Sequence, residues 1–84
     1  MTIKEYLQQQ YASGTVEEYT RAINSYLSNY PDAPVAKYND VVQYIGLLRE
    51  KYYHTATLRK ILSAVKAYYA YLCEEGIRKN NPAK

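Results

Sequence analysis

The sequence has no tryptophan and no phenylalanine, a single cysteine (Cys73) and a single histidine (His54). One cysteine excludes an internal disulfide, and one cysteine with one histidine falls short of the four ligands a structural zinc site uses. No apolar run approaches the roughly 18 residues of a membrane span, and no basic stretch followed by an apolar one marks a signal peptide. Met1 opens onto a soluble helical pattern, so a cytoplasmic location without a membrane partner is expected. A Gly-rich phosphate loop, a G-x-S-x-G turn, a histidine pair and a dinucleotide fingerprint are all missing. No cofactor is therefore expected, and no enzyme confined to these residues. The neighbouring acids Glu17-Glu18 and Glu74-Glu75 diverge by a quarter-turn or more on a helix and read as solvated helix ends. Cys73 stands one step from an apolar stripe with no base placed to activate it, and reads as a buried, inert thiol.

What remains is an 84-residue chain, 48% hydrophobic, with twelve tyrosines as its only aromatics. That length holds one small domain with one core. Thr2 and Glu5 form a capping-box pattern ahead of a first helix from about Ile3 to Ala12, with Ile3, Tyr6, Leu7 and Tyr11 as its stripe. Ser13-Gly14 is expected to stop it. Thr15 with Glu18 repeats the capping box for a second helix, whose inner face is Val16, Tyr19, Ile23, Tyr26, Leu27 and Tyr30, and Pro31 and Pro34 end it. After a loop to Tyr38, Asn39 caps a third helix with Val41, Val42, Ile45 and Leu48 inward and Asp40 in the first turn; it frays near Tyr52-Tyr53.

The fourth helix carries the longest pattern, from Thr55 as N-cap to Gly76, which suits the left-handed position after a helix, with Ile77 able to pack back on Leu72. Leu58, Ile61, Leu62, Val65, Tyr68, Tyr69 and Leu72 repeat at helical spacing and mark its buried face. Most tyrosines fall on or beside such stripes, where the ring fills core and the hydroxyl reaches the edge. The tail from Arg78 is polar and unperiodic and reads as the start of a linker. No strand signal and no internal repeat is present.

Charge is unevenly spread. Residues 1–48 hold three cations against five carboxylates, residues 49–84 eight cations against three, so the net +3 conceals halves of −2 and +5. Such asymmetry points to a polyanionic partner or to a solvated basic surface. On the fourth helix Arg59, Lys60, Ser63 and Lys66 form a side free of acids, and Thr55 and Thr57 stand at the N-terminus, where free N–H groups and the dipole favour an anion. Long cationic side chains on such a helix reach phosphates or base edges. Periodicity and charge alone support a DNA face and a plain solvated face equally.

The ordered set Thr15-Val-Glu-Glu-Tyr-Thr-Arg-Ala-Ile, Asp40-Val-Val-Gln-Tyr-Ile, Thr57-Leu-Arg-Lys-Ile-Leu-Ser-Ala-Val-Lys-Ala-Tyr-Tyr-Ala-Tyr-Leu and the closing Asn81-Pro-Ala resembles the N-terminal core-binding, or SAM-like, domain of tyrosine recombinases, the phage and transposon integrases. The resemblance covers about residues 3–83. It implies an all-α, compact four-helix orthogonal bundle that forms half of a clamp on double-stranded DNA at a recombination core site, with the second and fourth helices across the major groove. Residues 1–79 would be that domain and 80–84 the start of a linker to a C-terminal catalytic domain, which supplies the chemistry; none of the twelve tyrosines takes the nucleophile's role. Its partners would be DNA, its own catalytic domain and other recombinase protomers. The contacts implied are Thr15, Thr55, Thr57, Arg59, Lys60, Ser63 and Lys66: the threonines and Lys66 on phosphates, Arg59 and Lys60 on bases. Glu17 and Glu18 depart from the pattern, since an acid there repels phosphate or accepts from a cytosine amino group. The rival reading, from another class, is a helical protein-interaction module whose basic face meets an acidic protein.

Overall fold

In a computed structural model of the chain, described over residues 1–51 and 55–82, α1 spans Ile3–Gln10, α2 Ser13–Asn29, α3 Tyr38–Lys51 and α4 Thr55–Glu74, with a short 3₁₀ turn at Ala33–Val35. No strand occurs among the described residues. The α1 capping box forms as expected: the Glu5 N–H donates to Thr2 Oγ1 and the Thr2 N–H to Glu5 Oε1, both at 3.1 Å. The bond from the Thr2 backbone first, and then the Thr2 hydroxyl, hold the Glu5 carboxyl below the usual range.

The α1–α2 corner differs from the expectation. Helix α1 stops at Gln10, not Ala12, and Tyr11 turns extended while its N–H still reaches Leu7 O. Ser13-Gly14 is not a terminator but the first turn of α2, and Thr15 is not the cap: Ala12 takes that position without any side-chain bond. The Val16 N–H closes on Ala12 O at 2.9 Å. That register buries Val16, and core packing of this kind outweighs a cap worth about 1 kcal/mol. Helix α3 likewise starts one residue before the expected cap Asn39; the Asp40 carboxylate instead reaches back to accept from the Lys37 N–H at 2.8 Å. Tyr52, Tyr53 and His54, and hence the cap position ahead of α4, lie outside the described residues.

The core is built on α2 against α4, with α1 and α3 packed on α4 beside them. Leu7, Val16, Ile23, Val41, Leu48, Val65 and Leu72 fill it with Tyr26, Tyr44, Tyr68 and Tyr69. The tyrosines form an edge-to-face cluster centred on Tyr26, which meets Tyr44 at 4.8 Å, Tyr69 at 6.1 Å and Tyr68 at 6.4 Å between ring centroids, the separations at which aromatic pairs attract. Their hydroxyls are satisfied in series: Tyr69 donates to Ala33 O at 2.8 Å, so the 2.5 Å contact with Tyr26 has Tyr26 as donor. The chain joins α2, α4 and the 3₁₀ turn. Burial pushes the Tyr26, Tyr68 and Tyr69 phenols upward.

Four expected core positions move outward. Val42 is 48% exposed, and Leu58, Ile61 and Leu62 are only half-buried, because the N-terminal half of α4 runs along the edge of the body. Ala64 and Ala67 are buried in their stead, their small side chains letting helices approach. Cys73 is half-buried, not buried. At the end of α4, Gly76 takes φ 72°, with Ile77 N–H to Leu72 O at 2.9 Å and Gly76 N–H to Cys73 O at 3.1 Å, the paired bonds of a Schellman cap. Ile77 nevertheless remains 59% exposed instead of folding away beneath the cap.

The tail has no regular element, yet it is fastened to the body. Arg78 stacks over the Tyr69 ring at 5.0 Å and donates to Pro34 O at 3.2 Å. Asn81 Nδ2 donates to Lys66 O at 3.1 Å, and Pro82 is buried beside α3 and α4.

Candidate nucleic-acid interface

The residues proposed from sequence fall in two sets. Arg59, Lys60, Ser63 and Lys66 are exposed along α4, at the i, i+1, i+4, i+7 spacing that keeps side chains on one side of a helix. Thr55, also exposed, begins the helix, while Thr57 is half-buried. Because α4 carries no acid until Glu74, the stripe has no neutralising partner on its own helix.

That partner comes from α2. Lys60 Nζ lies 3.6 Å from Glu18 Oε1, with both side chains largely in solvent. The pair brings the start of α2, with Thr15 half-buried in its first turn, beside the basic end of α4. An exposed ion pair of this kind is worth about 0–1 kcal/mol and weakens with salt, so an incoming phosphate competes with it readily. Glu18 therefore tempers the surface without closing it.

At the other end of the stripe, Ser63 and Lys66 line a broad groove shared with Tyr6, Tyr11, Lys79 and Asn81. The sequence pattern puts Lys79 in an unperiodic tail at the end of the expected 1–79 domain and Asn81 in the expected linker. No local pattern signals their return, because a stacked arginine and an asparagine bonded to a helix carbonyl depend on residues far apart in the chain. No cluster of His, Cys, Asp or Glu able to hold a metal ion exists among the described residues, and none of their helices is long and apolar enough to cross a membrane.

Four α-helices, no strand among the described residues and a basic edge on α4 make up this arrangement. The sequence profile of the family described as phage integrase, N-terminal SAM-like domain, matches residues 3–76. The chain belongs to that family. Neither curated proteins nor solved structures provide a significant match. Integrase SAM-like domains typically bind DNA within tyrosine recombinases. The match occupies most of the 84 residues, and these hold no catalytic domain.

Proposed function

We propose that this integrase SAM-like domain holds duplex DNA at a recombination core site, so that a separate C-terminal catalytic domain of the same protein integrates or recombines the strands. One observation carries the reading: the exposed, acid-free basic side of α4, set at the edge of the body. Lys60 and Arg59 would meet bases, Lys66 and Ser63 phosphates, and Thr55, Thr57 and Thr15 would position the backbone. Residues 1–79 act as the core-binding unit and the chain beyond leads toward the catalytic domain, with further protomers bound to the same DNA.

The test is a double charge reversal, Lys60→Glu with Lys66→Glu, read by fluorescence anisotropy with a labelled duplex. Neither side chain is in the core, so the melting temperature should hold while DNA binding is lost. Binding that survives the reversal eliminates α4 as the interface. Binding of an acidic protein but no duplex by the unaltered domain would favour an interaction module.

A further inference from the structure

The contacts assigned to α4 leave part of the same surface unused. Beyond Ser63, α4 contributes Ala67 and Ala70 to the lining of the groove described above. Helices α1 and α2 and the chain between them line it through Tyr6, Tyr11 and Tyr19, and the fastened tail through Lys79, Asn80 and Asn81. Since Ser63 and Lys66 line it too, the groove continues the basic stripe without a break.

Its chemistry is that of a donor surface. Lysines from two separate elements, a serine hydroxyl, two asparagine amides and three phenols face it, against Glu74 as the one carboxylate among its described lining residues. The Tyr11 phenol is protonated at neutral pH, as tyrosine ordinarily is, and so can donate; burial, with Tyr19 and Tyr6 nearby, pushes it further up. A phosphodiester chain accepts hydrogen bonds and carries charge at regular intervals, which suits an open, donor-rich groove. The tail is held in place: the Arg78 stack on Tyr69, its bond to Pro34 O, the Asn81 bond to Lys66 O and the burial of Pro82 fix the residues on either side of Lys79. Binding there therefore has less chain entropy to overcome than binding by a free linker.

We propose that this groove is a second DNA-contact surface, in which Lys79 together with Lys66 binds phosphates of the strand adjoining the α4 contact. The inference rests on the DNA-binding reading of α4 and extends it to the tail.

The dependence of affinity on salt tests it, measured with a short generic duplex for the unaltered domain, Lys79→Gln, Lys60→Gln and, as a matched loss of charge, Lys37→Gln, which lines neither surface. Lys79→Gln is expected to weaken binding several-fold and lower the slope of log affinity against log salt by about one, with melting unchanged. Lys60→Gln should also lower the slope, and Lys37→Gln should leave it nearly intact. An unchanged slope in Lys79→Gln beside a lowered one in Lys60→Gln overturns the groove and leaves the α4 reading standing. Equal effects from Lys79→Gln and Lys37→Gln also overturn it, because net charge would then explain both. If the unaltered domain shows no salt-dependent binding, both readings fail.

Discussion

The two halves of α4 have opposite surroundings. From Ala64 to Leu72 the helix is core: Ala64, Val65 and Tyr69 are fully buried, and Ala67, Tyr68 and Leu72 are no more than 6% exposed. From Thr55 to Ser63 nothing is fully buried; the apolar residues are half-covered, and Arg59 and Lys60 stand in solvent. One element thus serves as the central strut of the domain at its C-terminal end and as a recognition surface at the other. The stripe of cations is presented rigidly because the buried half anchors it; the exposed Lys66 apart, changes in the two halves should separate into loss of stability and loss of binding.

Tyr69→Ala should break the buried half with the largest effect. It removes a fully buried ring, both links of the hydroxyl chain and the platform under Arg78, at a cost of about 3–5 kcal/mol. Against the 5–15 kcal/mol of a typical domain that is a large share of the stability, and urea denaturation should find the midpoint strongly lowered. Tyr69→Phe keeps the ring but leaves Ala33 O and the Tyr26 hydroxyl without this partner, which should cost about 1–3 kcal/mol. The same pair has a pH signature. The folded state keeps Tyr26, Tyr68 and Tyr69 protonated to higher pH than the unfolded chain does. Stability from these phenols is therefore fully present below about pH 10, where unfolded tyrosine titrates, and is lost as pH rises beyond it. Melting curves across the alkaline range should show that fall, and a shallower one in Tyr69→Phe.

Two smaller effects sharpen the contrast. Thr2→Ala removes the α1 cap and should cost about 1 kcal/mol of stability in urea titrations, without altering DNA affinity. Glu18→Gln releases Lys60 and removes an acid beside the basic stripe. It should tighten duplex binding by about 1 kcal/mol or less in anisotropy titrations at low salt, and leave melting almost unchanged.

The buried half of α4 was plain in the sequence because Val65, Tyr68, Tyr69 and Leu72 repeat at helical spacing and Gly76 punctuates the end. The Thr2–Glu5 box was equally legible, being wholly local. The corner at Ala12–Thr15 was not, because the Thr15–Glu18 cap pattern is local, whereas the start of α2 at Ser13 goes with packing that buries Val16. The basic stripe could be read from spacing and charge, but the Glu18 carboxylate beside Lys60 could not, since it arrives from another helix. The fastening of Arg78 and Asn81 was invisible for the same reason: their partners, Tyr69, Pro34 and Lys66, are defined only by the folded chain.

The most direct measurement is an amide chemical-shift titration of the domain with a short duplex at low salt, where non-specific affinities of ~10⁻⁴–10⁻⁶ M remain detectable. The account predicts shifts concentrated from Thr55 to Lys66, with a second set around Lys79, that fade as salt rises, while the buried amides of Tyr68, Tyr69 and Leu72 move little. Shifts centred on α3, or shifts indifferent to salt, would contradict it.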